Sequence, residues 1–164
     1  MHRVFLLLGS NLGDRYRNLE DAAKAINERA GQIVGKSSIY TTAAWGNTAQ
    51  PDFYNQAIEL LGRHEPESLL QILLSIETAL GRVRREKWGE RLIDIDILLI
   101  GNLVISTSSL KVPHPEMHNR RFALVPLAEI AGRVVHPGLN KTIDELVAEC
   151  DDALTVRRLD ENTM

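Results

Sequence analysis

Apolar residues recur along this chain in two rhythms. Residues 4–8, Val-Phe-Leu-Leu-Leu, form an unbroken run of the kind that lies in a strand buried on both faces. Residues 9–14, with Gly9, Asn11, Gly13 and Asp14, predict a turn. The rhythm then changes: Leu19, Ala22, Ala23, Ile26 and Ala30 recur at helical spacing, which predicts an amphipathic helix over 15–30 closed by Gly31. Residues 32–40 read as extended, 41–52 as a loop holding Gly46, Asn47 and Pro51, and 53–61 as a second extended run with Phe53, Asn55 and Ala57 on one face. Pro66 suits the first turn of a helix whose stripe is Leu69, Leu70, Leu73, Ile76 and Leu80, with Gly81 ending it. A strand is predicted over 92–100, stopped by Gly101 and Asn102. Residues 106–119 read as mostly loop. Phe122, Val125, Leu127 and Ile130 mark a helix kinked at Pro126. Thr142 and Glu145 form a capping box for a short helix, and 154–159 predict a last strand. Strands and helices mix without strict alternation, so the expected fold class is α+β, a largely antiparallel sheet covered by helices.

Composition narrows the picture. The 164 residues are 44% hydrophobic and 25% charged, as in an ordinary globular protein and unlike a disordered or collagen-like chain. A single domain, 1–164, is expected, and at this length it buries about 70% of the surface its unfolded chain exposes, without a metal or disulfide staple. A net charge of −3 speaks against a general nucleic-acid binder. Cys150 is the one cysteine, so no intramolecular disulfide or cysteine metal cluster can form. No apolar stretch nears the ~20 residues of a membrane span, and the run at 4–8 is too short for a secretory leader. The expectation is a cytoplasmic monomer with no membrane or nucleic-acid partner.

The candidate chemistry starts with Leu92-Ile93-Asp94-Ile95-Asp96-Ile97-Leu98. In a strand, alternate residues share a face, so Asp94 and Asp96 point the same way with Cα atoms ~6.6 Å apart, while Ile93, Ile95 and Ile97 face the other side. Two like charges in so apolar a run need compensation. A divalent ion such as Mg²⁺, held by one or two carboxylates and substrate phosphates, would supply it. An arginine pair would too, and the pair could instead be solvated on an exposed face. Just before the strand come Arg82, Arg84, Arg85, Lys87 and Arg91, five of 19 basic residues within ten positions. Guanidinium heads suit phosphate. Glu86 and Glu90 allow the alternative of a self-balanced charged loop. His114 and His118 are four apart, but the order H-x-E-x-H with proline on both sides of His114 is a poor zinc helix. A histidine with Arg120 and Arg121 suits phosphate equally. The glycines at 9 and 13 match neither common phosphate-loop pattern. Aromatic residues make up only 5% of the chain, yet Phe53 and Phe122 both neighbour polar motifs, where they could sandwich a flat heterocycle or fill the core.

These segments together resemble the 6-hydroxymethyl-7,8-dihydropterin pyrophosphokinases of folate biosynthesis. The resemblance is carried by Gly9-Ser10-Asn11-Leu12, by Gln50-Pro51-Asp52-Phe53-Tyr54-Asn55, by Ile76-Glu77 with Leu80-Gly81-Arg82, by Val112-Pro113-His114, and above all by Lys87-Trp88-Gly89-Glu90-Arg91 running into the Asp94–Asp96 strand. It implies a ferredoxin-like α/β sandwich and an enzyme that moves pyrophosphate from ATP to the hydroxymethyl group of the pterin, releasing AMP. It implies two Mg²⁺ ions on Asp94 and Asp96, with ATP as co-substrate. Arg82, Arg91, His114 and Arg120 fall at phosphate-contacting positions, Arg84 and Trp88 in a catalytic loop, and Glu77 and Ile97 near the nucleotide. Phe53 and Phe122 match the pair that stacks on the pterin, Thr42 and Asn55 the residues that hydrogen-bond it, and Asp94 is also substrate-facing. The chain departs from many members at Ala43-Ala44, Ser109, Lys111 and Pro115. Beside the resemblance, the residues themselves leave room for a metal-dependent phosphodiesterase, which would hydrolyse without a pterin, or a non-catalytic nucleotide-binding module.

Overall fold

The computed structural model describes residues 1–43, 51–81 and 92–159. The apolar run at 4–8 is the middle of a longer strand, β1 (His2–Ser10). After it come α1 (Arg15–Arg29), β2 (Gln32–Lys36), β3 (Tyr40–Thr42), β4 (Phe53–Gly62), α2 (Pro66–Ala79) and β5 (Asp94–Ile100). A short hairpin, β6 (Ile105–Ser106) and β7 (Lys111–Val112), and a 3₁₀ turn at Met117–Asn119 lead to α3 (Arg121–Ala131). A second hairpin, β8 (Val135–His136) and β9 (Lys141–Thr142), precedes α4 (Ile143–Glu149) and the last strand, β10 (Val156–Arg158). The main sheet is ordered β10-β3-β4-β1-β5, with β2 also pairing β4, and every pair in it is antiparallel.

β1 is buried on both faces because helices cover both. Val4, Leu6 and Leu8 pack with Leu19 and Ile26 of α1 and Leu69, Leu73 and Ile76 of α2. Phe5 and Leu7 pack with Ala123, Leu124 and Leu127 of α3 and Ile143 and Leu146 of α4. The register between β1 and β5 shifts at Phe5/Leu6, where Leu98 is the extra residue. On the early side of that bulge Ile95 and Ile97 join the α1/α2 core. By alternation, Asp94 and Asp96 therefore face the α3 side.

The helix ends follow the sequence signals. Asp14 caps α1 by accepting from the Arg17 N–H at 3.1 Å. Pro66 stands in the first turn of α2, and Gly81 follows it with φ +93°, a left-handed conformation that suits glycine. The Thr142–Glu145 capping box closes reciprocally, with both bonds at 3.1 Å. Two expectations need correction. Gly9 and Ser10 continue β1 and are not part of the turn. The extended run at 32–40 is two strands: Ser37 exchanges bonds with Ala57 through its own N–H and its hydroxyl, both at 2.9 Å, and this side-chain substitution breaks the ladder. The stretch at 106–119 is mostly loop, as expected, broken by the two-residue β7 and the 3₁₀ turn.

Candidate active site

The register of three strands assembles the site. Gly9 pairs with Asn55 of β4 on one side and with Asp94 of β5 on the other. Leu7, two residues back on the same face, pairs with Ala57 and Asp96. Thr42 of β3 pairs with Phe53, and Tyr40 with Asn55. Thus Thr42, Phe53, Asn55, Asp94 and Asp96, scattered over more than fifty positions in sequence, share the α3 face at one end of the sheet. With strands ~4.8 Å apart, Asn55 and Asp94 stand roughly 10 Å apart across Gly9.

Gly9 is where this row needs the smallest residue. A Cβ there would lie 3.0 Å from Asn55 Oδ1 and 3.5 Å from the Phe53 ring. Only glycine lets both side chains lie this close over the β1 backbone. Asn55 and Thr42 are buried, 3% and 2% exposed. Asn55 Nδ2 donates to Thr42 Oγ1 at 2.9 Å, which orients both groups: the amide oxygen turns toward Gly9 and the hydroxyl proton is left for another acceptor. Phe53 and Phe122 are both half-buried. Phe122 sits in the first turn of α3 and packs on the α3-side core, with the Arg120 guanidinium 5.7 Å from its ring centroid.

The other wall is β5, the edge strand, whose outward backbone groups are taken up from two directions. Glu77 of α2 accepts from the Ile95 N–H at 2.7 Å, directly between the two aspartates. The His114 N–H donates to the Leu98 carbonyl at 3.0 Å. Asp94 and Asp96 are half-buried. Glu77 and Ile97 lie in the core, 6% and 5% exposed. Neither presents open surface, and Glu77 acts on the strand that carries the carboxylates. Glu77 is a charge on the apolar stripe of its helix, four residues after Leu73, and that pattern is the signal that marks it in the sequence.

His114 Nδ1 accepts from the Glu116 N–H at 3.1 Å, so the neutral ring carries its proton on Nε2. Burial pushes its pKa down to about 4, with the Arg120 charge acting the same way and Glu116 opposing. It is neutral near pH 7 and offers one donor. Its protonation favours the unfolded chain, so this group withdraws stability as pH falls from 6.5 toward 4. His118 stands apart from it, its ring edge-on to His136 at 6.4 Å.

Two further contacts brace the entry to β4. Asn11, 1% exposed, donates to the Pro51 carbonyl at 3.2 Å. Arg15 donates to the Asp52 carbonyl at 2.8 Å and lies 4.0 Å over the Tyr54 ring. Neither role is visible in the sequence, because each partner is some forty positions away. Arg82, Arg84, Trp88 and Arg91 lie outside the described residues.

The sequence matches the family described as 7,8-dihydro-6-hydroxymethylpterin-pyrophosphokinase (HPPK) over residues 5–132. It is 42% identical over 152 residues to a 2-amino-4-hydroxy-6-hydroxymethyldihydropteridine pyrophosphokinase of Methylorubrum extorquens, covering 92% of this chain and 95% of that protein. The Haemophilus influenzae protein of the same name is 41% identical over 153 residues, 93% of this chain and 95% of its own length. Among solved structures, a Plasmodium falciparum HPPK-DHPS triple mutant with SDX-DHP superposes with a TM-score of 0.75 at 18% identity, over 90% of this chain and 44% of that one. That likeness is one of fold, and this chain spans less than half of that longer protein. With the match to residues 5–132 and these relatives, the chain belongs to the 7,8-dihydro-6-hydroxymethylpterin-pyrophosphokinase family.

Proposed function

We propose that the α3-facing end of the sheet, around the Asp94–Gly9–Asn55 row, is where this chain carries out its family's reaction. That reaction is the transfer of pyrophosphate from ATP to the hydroxymethyl group of 6-hydroxymethyl-7,8-dihydropterin, with release of AMP (EC 2.7.6.3), in folate biosynthesis. The observation that carries the placement is the register, which sets a buried Asn–Thr pair and an aromatic residue on one side of Gly9 and two carboxylates on the other.

In this reading the flat pterin lies between Phe53 and Phe122, and its polar edge meets Asn55 and Thr42. Stacking fixes the ring plane, and the oriented amide and hydroxyl fix its rotation within that plane. Asp94 and Asp96 would hold two Mg²⁺ ions. The donor set fits: two half-buried carboxylates on one face of β5 offer the hard oxygens Mg²⁺ takes, which it usually combines with phosphate and water. When bound, the ions neutralise charge on the polyphosphate. His114, through Nε2–H, and Arg120 contact the phosphates together with Arg82 and Arg91, while Arg84 and Trp88 act in the catalytic segment. Glu77 and Ile97 shape the nucleotide side through β5. The hydroxymethyl oxygen bonds to the β-phosphorus and gives up its proton to water, the bond from that phosphorus to the oxygen bridging to the α-phosphate breaks, and AMP leaves with that oxygen. A hydroxymethyl group is a poor nucleophile, so alignment and charge neutralisation supply most of the acceleration.

Incubation with ATP, Mg²⁺ and the reduced pterin is expected to yield AMP in step with pterin diphosphate. ADP as sole product, or ATP breakdown indifferent to pterin, would overturn the reading. Gly9→Ala supplies a second check. Its Cβ displaces the Asn55 amide, and pterin affinity is expected to fall roughly 10-fold, about 1.4 kcal/mol. The protein should still fold, with the loss from the disturbed Asn55–Thr42 pair offset in part because alanine restricts the unfolded chain. Unchanged pterin affinity in a folded Gly9→Ala protein would remove Asn55 from the site.

No helix among the described residues is long and apolar enough to cross a membrane. The acidic balance fits a protein that acts on small molecules and not on nucleic acid, and the single cysteine fits a reducing compartment such as the cytoplasm.

A further inference from the structure

We propose that Asp152 is a positioning residue for the pterin site, and that the segment it begins is a strap joining the two walls of that site. The proposal rests on the reading of Phe122 and Thr42 as pterin-facing residues.

A helix start leaves backbone N–H groups without partners. Arg120, at the N-cap of α3, provides no side-chain acceptor. The acceptor comes from 31 residues further on: Asp152 Oδ2 receives the Arg121 N–H at 3.0 Å. Arg121 answers with its side chain, donating from Nε to the Asp152 carbonyl at 3.2 Å and from Nη2 to the Cys150 carbonyl at 3.1 Å. The second carboxylate oxygen, Oδ1, receives the Leu154 N–H at 3.0 Å, so Asp152 is held by both oxygens. A carboxylate here also suits the positive end of the helix.

From Leu154 the chain enters β10, which lines the outer edge of β3. Val156 pairs with Thr42, Arg157 with Thr41 and Arg158 with Tyr40, and the Leu159 N–H donates to the Ile39 carbonyl at 2.7 Å. One short segment thus grips the turn that carries Arg120 and Phe122 at one end and the strand that carries Thr42 at the other. The family match stops at residue 132, so the whole strap lies beyond it. A ring stacked between two walls is sensitive to their spacing, because a gap of 0.5–1 Å already forfeits a quarter to a half of each contact.

Calorimetry with 6-hydroxymethyl-7,8-dihydropterin alone tests the proposal on four full-length variants. Asp152→Ala is expected to raise the pterin Kd about 5- to 10-fold, the scale of one lost charge-assisted anchor. Asp152→Asn keeps one oxygen acceptor for the Arg121 N–H but sets its NH2 against the Leu154 N–H and loses the charge, so its pterin Kd should fall between those of the parent and Asp152→Ala. Ile143→Val trims the buried core of α4 away from the strap; it should lower the melting temperature yet bind pterin normally. Asn55→Ala reports on the site itself and should bind weakly. If Asn55→Ala binds weakly while Asp152→Ala binds as the parent does, the strap has no positioning role and the site reading stands. If Asn55→Ala binds normally, the site reading fails and the proposal falls with it. Equal pterin losses in Asp152→Ala and Ile143→Val would reduce Asp152 to general stability and overturn the proposal.

Discussion

Asp96→Ala is expected to lower kcat by well over ~10²-fold in a protein that still folds. A 10²-fold loss corresponds to about 2.7 kcal/mol of transition-state stabilisation, within the several kcal/mol that metal-borne charge neutralisation supplies. Asp96 stands half-buried on β5 opposite Leu7, two residues from Asp94 on the same face. The backbone of β5 stays in place because Glu77 holds the Ile95 N–H and His114 the Leu98 carbonyl. The prediction is therefore a split: the fold retained, turnover collapsed. Single-turnover kinetics at saturating Mg²⁺, with AMP as the measured product, decide it. Near-normal turnover would take Asp96 out of the metal site.

The second large effect is on Phe122→Ala, for which the pterin Kd should rise roughly 5- to 150-fold, the range given by ~1–3 kcal/mol for stacking on one ring. ATP affinity should change little. The two ligands have to be titrated separately, because Phe122 also packs against the α3-side core, and truncation there costs stability as well. Phe122→Leu separates the contributions: it refills much of the core volume without restoring a flat π face. Pterin affinity should remain low in Phe122→Leu while the melting temperature recovers. Equal losses for ATP and pterin in Phe122→Ala would mean that α3 had shifted as a whole, and the stacking assignment would not stand.

The residues that were legible in advance are those whose chemistry contradicts their local pattern. Asp94 and Asp96 stand out because charge is disfavoured in an apolar strand, and the alternation that makes a strand also places them on one face. The capping box at Thr142 and Glu145 and the proline opening α2 were readable for the same reason: each is a signal complete within a few residues. Glu77 shows the boundary. Its place on an apolar stripe marks it as unusual, but nothing local says that its carboxylate is spent on the Ile95 N–H.

Gly9 reads locally as a turn glycine before a helix; its position inside β1 follows from pairing with β4 and β5 together. The contacts of Asn11, Arg15 and Asp152 carry no local signal. Each meets a partner thirty to forty positions away, and polar side chains satisfy backbone groups without leaving any periodicity.

Local periodicity and stereochemistry were enough to specify the element types, the two-sided burial of β1 and the shared face of the aspartates, because each depends only on neighbours along the chain. Which strands pair, and in which register, is a contest among long-range contacts. A shift of one residue between β1 and β4 would have turned Asn55 away from the α3 face and left Asp94 and Asp96 without a site. That choice was made by the packing of α1 and α2 on one side of the sheet and α3 and α4 on the other, where only one register buries Val4, Leu6 and Leu8 against the first pair and Phe5 and Leu7 against the second.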